Sequence, residues 1–237
     1  MSRLDPRPWV ADALTLSNGV FGFLSILTWS IELGPLSPLD DSIVAAAYIG
    51  LGMVADGLDG IVARVWGSTG LGNALDSMSD FLTFCVAPAV FLLEAVNAPR
   101  GTGLGAITAV VAVAFIIAGM LRLARHQEDQ APGTPHFAGL PAPWSGATLV
   151  VLLLLDVPAG LALVSAALLG ALNVSKVPYP KTRGALTKVA LAILIVALLV
   201  IGGLILLGGA RQVILVLAAA IAVTMVVIGP FVAARVS

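Results

Sequence analysis

Long apolar runs separated by short polar breaks dominate the hydrophobic pattern of this chain. A transmembrane helix needs about 20 consecutive, mostly apolar residues. The runs predict spans at 12–33, 42–64, 73–97, 103–125, 141–155, 157–176, 186–208 and 211–235. The alternation of apolar and polar residues that is typical of a membrane β-barrel does not occur in this sequence. The pattern therefore predicts an all-α, polytopic transmembrane bundle of about eight helices.

The stretch 141–176 fits either one long tilted helix or a hairpin broken at Asp156-Val157-Pro158. With a hairpin, ten cationic residues fall on one side of the membrane, and only Arg100 and Arg211 fall on the other. The ten are Arg3, Arg7, Arg64, Arg122, Arg125, Lys176, Lys181, Arg183, Lys188 and Arg235. Because cytoplasmic loops of membrane proteins carry the excess of Lys and Arg, we expect the hairpin, with both termini in the cytoplasm.

Composition agrees with a membrane protein and narrows its partners. The chain has 237 residues, of which 59% are hydrophobic and 11% charged, whereas about 25% of a soluble domain is charged. The net charge of −1 and the lack of a long basic run exclude a nucleic-acid partner. The single cysteine, Cys85, lies in an apolar segment and is interpreted as a packed thiol.

Four aspartates stand out in the second and third predicted spans. Asp56 and Asp59 are three residues apart, and Asp76 and Asp80 are four apart, so each pair projects from one face of a helix. The glycine-rich turn 67–72 lets the two helices return side by side, and all four carboxylates can then converge. An aspartate at the centre of a bilayer costs about 2.5–3.5 kcal/mol on insertion scales, so this cluster predicts a functional site.

Several kinds of site would explain the acidic cluster. Four ionised carboxylates in one apolar pocket repel one another unless they are protonated or bind cations. Oxygen ligands suit hard divalent ions, and two such ions form a recurring clamp for phosphoryl transfer. One alternative is acids that pair with bases inside the bundle, for which only Arg64 is close in sequence. Another alternative is a cation-coupled transporter with an acidic relay.

The spacing of the cluster carries a family resemblance. From Asp56 to Asp80 the chain reads D-x2-D-G-x2-A-R-x7-G-x3-D-x3-D. This pattern resembles the signature of the CDP-alcohol phosphotransferase family, whose enzymes move a lipid-phosphate unit from a CDP-lipid to an alcohol and release CMP. The resemblance covers roughly residues 12–185. It implies a six-helix catalytic core at 1–185, followed by a C-terminal transmembrane helix pair at 186–237, to which we assign a structural role.

The resemblance implies roles for the acidic residues. Asp56, Asp59 and Asp76 would hold divalent metal, Mg²⁺ or Mn²⁺, as two ions. Asp80 would bind metal and also act as the general base that takes the proton from the attacking hydroxyl. That hydroxyl would attack the lipid-side phosphorus in a single displacement, without a covalent enzyme intermediate.

Smaller residues near the acids would bind the CDP-lipid by the same resemblance. Gly60 and Ala63 would let cytidine and ribose lie against the second helix, and Gly72 would fit the close start of the third. Arg64 would anchor the acidic cluster or the nucleotide phosphates. Asn18, a polar residue in the apolar first span, either contacts the nucleotide or links helices.

Other segments resemble one subgroup, the small integral-membrane phosphatidylserine synthases. They are LTLSNGVFGFLSI at 14–26, LGNALDSMSDFLTFCVAPA at 71–89, LRLAR at 121–125, FAGLPAP at 137–143 and VSKVPYPK at 174–181. The resemblance implies L-serine as the alcohol. Because arginine binds a carboxylate through two parallel hydrogen bonds, Arg122 and Arg125 are candidates for serine binding, although both also fit simple membrane anchors. The loop with Gly139 is expected to fold over the cytoplasmic mouth.

The expected function is transfer of a phosphatidyl or archaetidyl group from CDP-diacylglycerol or CDP-archaeol to serine, at a cytoplasmic active site in the cell membrane. The resemblance also implies a homodimer. Two alternatives stay open from the sequence. One is a related enzyme that uses inositol phosphate or glycerol phosphate, and the other is the cation-coupled transporter.

Overall fold

The structure, a computed structural model, describes residues 7–30, 40–99, 101–128, 136–180 and Val226. These residues form a helical bundle, as predicted. The helices are α1 Arg7–Thr28, α2 Asp41–Trp66, α3 Gly72–Asp80, α4 Ala87–Val96, α5 Gly103–Glu128, α6 Ala142–Leu154 and α7 Ala159–Val174. A π-helical segment, Phe81–Val86, joins α3 to α4, and two short strands, β1 His136–Ala138 and β2 Pro178–Pro180, complete the described elements.

Four helical stretches are long and apolar enough to cross a membrane. They are Arg7–Thr28, Asp41–Trp66, Gly72–Val96 and Gly103–His126. The helices α6 and α7 are apolar but shorter, with 13 and 16 residues, or about 20 and 24 Å at a rise of about 1.5 Å per residue. The predicted spans 186–208 and 211–235 lie outside the described residues except for Val226. The total of eight spans therefore stays a prediction, as does the domain boundary at 185.

Residues 141–176 form a hairpin and not one long helix. The helix α6 ends at Leu154, and α7 begins at Ala159 after Pro158. Between them Asp156 has a positive φ of 53°, which reverses the chain. The Leu140 amide donates to the carbonyl of Leu172 at 3.0 Å, so the start of α6 lies beside the end of α7. The prediction of a break in this stretch is confirmed.

The helical stretch that follows the turn between α2 and α3 is continuous, but its hydrogen-bond pattern changes along its length. Its central segment, Phe81–Val86, is π-helical, and the Ala87 amide bonds to the carbonyl of Leu82, five residues back. Such segments are rare, and they are frequent at functional sites. This one begins directly after Asp80 and carries Phe84, which is fully buried. The extra residue in the turn rotates everything after Asp80 relative to the acidic face of α3.

A small strand pair closes one end of the bundle. The strands β1 and β2 are antiparallel, with Phe137 opposite Tyr179. The hydroxyl of Tyr179 donates to the carbonyl of Val226 at 3.1 Å. Burial raises the pKa of the Tyr179 phenol, so this donor keeps its proton across the neutral range. The contact links the described bundle to the C-terminal part of the chain.

The loop that contains Gly139 packs tightly against the end of α7. Gly139 has a φ of 85°, and its amide donates to the carbonyl of Val177 at 2.8 Å. A Cβ at this position would collide with the carbonyl oxygen of Asn173. The side-chain amide of Asn173 is buried, and in the orientation that satisfies its hydrogen bonds the nitrogen donates to the Leu140 carbonyl and to Ser145 Oγ. Glycine here is therefore required by the fold itself.

Candidate metal centre

Three of the four predicted aspartates converge between α2 and α3. One carboxylate oxygen from each of Asp56, Asp76 and Asp80 lies within 4.8 Å of the others. Asp80 is buried, and Asp56 and Asp76 are half-buried. We call these residues the three-carboxylate group. The group joins two helices that meet through one short turn, as the spacing of the aspartates predicts.

The turn between α2 and α3 is pinned by a residue that the sequence reasoning missed. Asp12 of α1 is 2% exposed, and its carboxylate accepts hydrogen bonds from the hydroxyl and the amide of Thr69. Gly72 lies beside this contact, and a Cβ there would come within 2.8 Å of Ser68 Cβ. The predicted close start of the third helix thus has a direct steric cause.

Asp59 faces a different neighbour from the other three acids. It is buried, and its Oδ2 accepts a hydrogen bond of 2.5 Å from the hydroxyl of Thr15 in α1. Among the described residues, the acids that satisfy the ligand geometry are Asp56, Asp76 and Asp80, and Asp59 is not one of them. The hydroxyl of Thr15 draws the Asp59 carboxylate toward α1. A fourth ligand from Asp59 stays a prediction.

Asn18 is fully buried at the crossing of α1 with the π-helical segment. Its Nδ2 donates to Asp80 Oδ1 at 2.9 Å, and its backbone carbonyl accepts from the hydroxyl of Thr83 at 2.8 Å. Of the two predicted roles of Asn18, the described contacts are those of an interhelical link. Contact with a nucleotide stays a prediction.

The wall of α2 next to the acids is low. A Cβ added to Gly60 would meet only a guanidinium nitrogen of Arg64, at 3.8 Å. Ala63 is half-buried, and Arg64 is exposed. The Nε of Arg64 donates to the Gly60 carbonyl at 2.8 Å, so the side chain lies along its own helix. This surface leaves room for a flat group beside the three-carboxylate group.

The two arginines that are candidates for serine binding, Arg122 and Arg125, have different surroundings in the structure. Arg125 is exposed, and its guanidinium donates to the carbonyl of Val174 at 2.8 Å, at the end of α7. A cation is favourable at a helix C-terminus. Arg122 is only 4% exposed. Arg122 and Asp80 both lie within electrostatic range of the buried thiol of Cys85.

The contacts from α1 have a sequence signal in retrospect. Small or polar residues recur every three or four positions along this apolar helix, and all of them are buried. They are Asp12, Thr15, Asn18, Gly22 and Ser25. This spacing marks one face of a helix, and in a membrane such a face packs against other helices. The stripe could have indicated Asp12 and Thr15 as partners of the neighbouring helices.

The donor set fits divalent cations with oxygen ligands. Two unit charges at 4.8 Å repel by about 3.5 kcal/mol at an effective dielectric constant of about 20, and the group holds three such pairs when ionised. A divalent cation removes this repulsion. Carboxylates without nitrogen or sulfur donors suit Mg²⁺, Mn²⁺ or Ca²⁺ and not softer metals.

The fold and the site together define an integral-membrane protein with a candidate carboxylate metal centre between two membrane helices. Comparison with known sequences gives the family. The chain belongs to the CDP-alcohol phosphatidyltransferase family, whose sequence model matches residues 8–174. The match includes every candidate site residue discussed above.

Individual relatives agree with the family assignment. The chain is 34% identical over 173 residues to a CDP-diacylglycerol–serine O-phosphatidyltransferase of Methanocaldococcus jannaschii, covering 73% of this chain and 74% of the relative. It is 32% identical to the protein of the same name from Helicobacter pylori, covering 75% and 80%. It is 30% identical to an archaetidylserine synthase of Methanothermobacter thermautotrophicus, covering 73% and 70%.

Proposed function

We propose that this protein transfers a phosphatidyl or archaetidyl group from a CDP-lipid to the hydroxyl of L-serine and releases CMP. The observation that carries the proposal is the three-carboxylate group, set at the meeting point of two membrane helices. The names of the three relatives described above supply the substrate class. The enzyme takes part in phospholipid biosynthesis.

Asp56, Asp76 and Asp80 hold the divalent metal in this proposal. The fourth aspartate, Asp59, would add a ligand from the next turn of α2, and the site would hold two ions, Mg²⁺ or Mn²⁺. When bound, the ions offset the charge of the diphosphate and favour departure of CMP. The chain itself supplies a rigid carboxylate frame, because Asp80 is buried and the turn between α2 and α3 is fixed by the contact of Asp12 with Thr69.

Asp80 acts as the general base. The serine hydroxyl oxygen forms a bond to the lipid-side phosphorus, the bond from that phosphorus to the CMP oxygen breaks, and the hydroxyl proton passes to Asp80. A base must lie within hydrogen-bond reach of the proton that it removes. Asp80 is the last residue of α3 and lies next to the π-helical segment. This position suits a serine substrate that enters from the α5 side.

The nucleotide end of the CDP-lipid lies on the low wall of α2. The open space above Gly60 and the small side chain of Ala63 accommodate the cytidine and the ribose. The exposed guanidinium of Arg64 pairs with the phosphates after leaving the Gly60 carbonyl. The lipid chains extend into the surrounding bilayer, and both diacyl and archaeol chains fit this arrangement, since the reacting group is the diphosphate.

Arg122 binds the serine carboxylate. Its burial, and its position near the Cys85 thiol that Asp80 also approaches, support this role, since a buried guanidinium is a strong partner for a carboxylate. Arg125, which bonds to the Val174 carbonyl, mainly holds the end of α7. Of the two arginines that the sequence suggests for serine binding, this proposal keeps Arg122.

The site faces the cytoplasm in this proposal, with both termini on the same side of the cell membrane. Four described cationic residues support the orientation because each stands near the C-terminal end of α2, α5 or α7, and cytoplasmic ends carry the excess of Lys and Arg. They are Arg64, Arg122, Arg125 and Lys176. Family resemblance adds a homodimer as the assembly.

The test is CMP release by the purified full-length protein in detergent. CDP-diacylglycerol and CDP-archaeol are each supplied with serine, glycerol phosphate or inositol phosphate, in the presence of Mg²⁺ or Mn²⁺. We expect CMP release that depends on both serine and metal, and the faster lipid donor identifies the natural chain type. Release with a phosphorylated alcohol but not with serine would contradict the proposal. So would cation flux into liposomes without any CMP release, which the transporter alternative predicts.

A further inference from the structure

We infer that α1 orients the catalytic carboxylates, and that Thr15 and Asn18 are its positioning residues. Thr15 and Asn18 are three residues apart on the buried face of α1. One binds Asp59 of α2, and the other binds Asp80 at the end of α3. The single helix α1 thus holds one signature aspartate of α2 and one of α3. The part of the inference that concerns turnover depends on the proposed function, but the part that concerns metal binding does not.

The buried amide of Asn18 has one satisfied end and one unsatisfied end. Its Nδ2 donates to Asp80 Oδ1 at 2.9 Å, while Oδ1 of Asn18 has no hydrogen-bond partner among the described residues. A buried acceptor without a partner is unfavourable, and an apolar side chain of similar size would remove that cost. The amide is instead placed where a neutral donor meets the carboxylate, which fixes the plane of Asp80 without adding a charge.

The backbone around Asn18 cannot shift easily. The hydroxyl of Thr83 donates to the Asn18 carbonyl at 2.8 Å. A Cβ on Gly52 of α2 would come within 2.9 Å of Asn18 Oδ1, and one on Gly22 of α1 would come within 2.8 Å of Thr83 Cα. These glycines let three helices touch at one point. Asn18 is therefore held at a fixed distance from Asp80, which lies three residues before Thr83.

Thr15 holds Asp59 in a similar way. Its hydroxyl lies 3.1 Å from the Ala11 carbonyl and 2.5 Å from Asp59 Oδ2. The hydroxyl carries one proton, and the shorter contact, to the carboxylate, is the stronger bond. The branched side chain of threonine also has restricted rotation about χ1. Asp59 therefore presents its other oxygen in one direction, which prepares it as an additional ligand.

The measurement is the affinity of the full-length protein for Mn²⁺ in the absence of CDP-lipid, with electron paramagnetic resonance as the method of detection. The variants are Asn18→Leu and Thr15→Val, with Thr15→Ser as the conservative rescue. Mutation of a residue that hydrogen-bonds to a metal ligand typically lowers metal affinity by about 10–100-fold. We expect Asn18→Leu and Thr15→Val to weaken Mn²⁺ binding by about tenfold or more, with the melting temperature close to that of the parent. Thr15→Ser should recover most of the affinity.

The matched control is Thr28→Val. Thr28 is buried in the same helix, but its hydroxyl bonds to the Leu24 carbonyl, at the far end from the acids. This variant should bind Mn²⁺ like the parent. Unchanged affinity in Asn18→Leu and Thr15→Val would overturn the inference. Loss of affinity only in proportion to loss of folded protein, in these variants and in Thr28→Val alike, would also overturn it, because the role would then be structural.

The kinetic arm separates this inference from the proposed function. If serine-dependent CMP release occurs, kcat should fall in Asn18→Leu while the KM for CDP-lipid changes little. If the parent protein releases no CMP with serine but the variants still lose Mn²⁺ affinity, the proposed reaction fails and the positioning role stands. If both kcat and Mn²⁺ affinity are unchanged in the variants, the positioning role fails and the reaction stands.

Discussion

Asp12 of α1 binds Thr69 in the turn between α2 and α3, across 57 positions of sequence. Asp12 is buried, and the contact lies against Gly72 at the start of α3. It fixes the angle at which the two acid-bearing helices return toward each other. The geometry of the three-carboxylate group therefore depends on a residue that lies outside the signature.

Replacing Asp12 tests this dependence. Removing a charged group from a buried hydrogen bond costs about 1.5–3 kcal/mol, so we expect Asp12→Ala to lower the melting temperature by several degrees. Activity should fall further than the loss of folded protein explains, because the start of α3 is released. Asp12→Asn keeps one acceptor oxygen, so its melting temperature and activity should lie between those of the parent and of Asp12→Ala. Thermal unfolding and CMP release of the same preparations check this, and an unchanged Asp12→Ala protein would contradict it.

The two signature glycines should respond differently to alanine. A Cβ at Gly60 meets only Arg64 at 3.8 Å, whereas a Cβ at Gly72 meets Ser68 at 2.8 Å. Gly72→Ala should therefore destabilise the fold, while Gly60→Ala should melt like the parent. A larger change, Gly60→Leu, should raise the KM for CDP-lipid by about tenfold or more if the nucleotide lies on this wall, since contacts at the reacting end are displaced. Equal melting temperatures for Gly60→Ala and Gly72→Ala would contradict the structural difference.

Arg122 and Arg125 should separate in serine kinetics. Truncating a buried partner of a charged group costs about 2–5 kcal/mol, so Arg122→Gln should raise the KM for serine by at least about 30-fold. Arg125→Gln removes only the bond to Val174 and should leave that KM within about threefold of the parent. Initial rates at varied serine concentration check both. A larger effect of Arg125→Gln on the serine KM would reverse the assignment.

Gly139 should matter for folding more than for serine. Its positive φ is unfavourable for branched residues by about 1–2 kcal/mol, and a side chain would also collide with the Asn173 carbonyl. We expect Gly139→Val to reduce the folded yield and the melting temperature. Ala138→Val is the matched control, because Ala138 is exposed in the adjacent strand. Normal melting of Gly139→Val with a selective loss of serine turnover would instead support a loop that closes on serine.

The sequence predicts the site where the local spacing decides it. Helix periodicity places Asp76 and Asp80 on one face of α3, and the glycine-rich turn brings Asp56 beside them. The same rules predict the helical bundle and the break near Asp156. In these cases the deciding residues are neighbours along the chain, so the pattern contains the needed information.

Other features depend on contacts between distant helices. The direction of Asp59 is set by Thr15, and the turn at Thr69 is fixed by Asp12, and neither pair is close in sequence. The different surroundings of Arg122 and Arg125, one turn apart, follow from the packing of α5 against α7. The π-helical segment after Asp80 has no clear signal in the residues that form it. Such details need the packed structure.

The most direct test of the central claim is the position of Mn²⁺ in crystals of the full-length protein grown with CDP and Mn²⁺. Anomalous scattering from manganese locates the ion independently of the protein atoms. The proposal predicts an anomalous peak within ligand distance of carboxylate oxygens from Asp56, Asp76 and Asp80, at about 2.0–2.2 Å as for other small divalent ions. A well-ordered site with bound CDP and no manganese peak among these three carboxylates would contradict it.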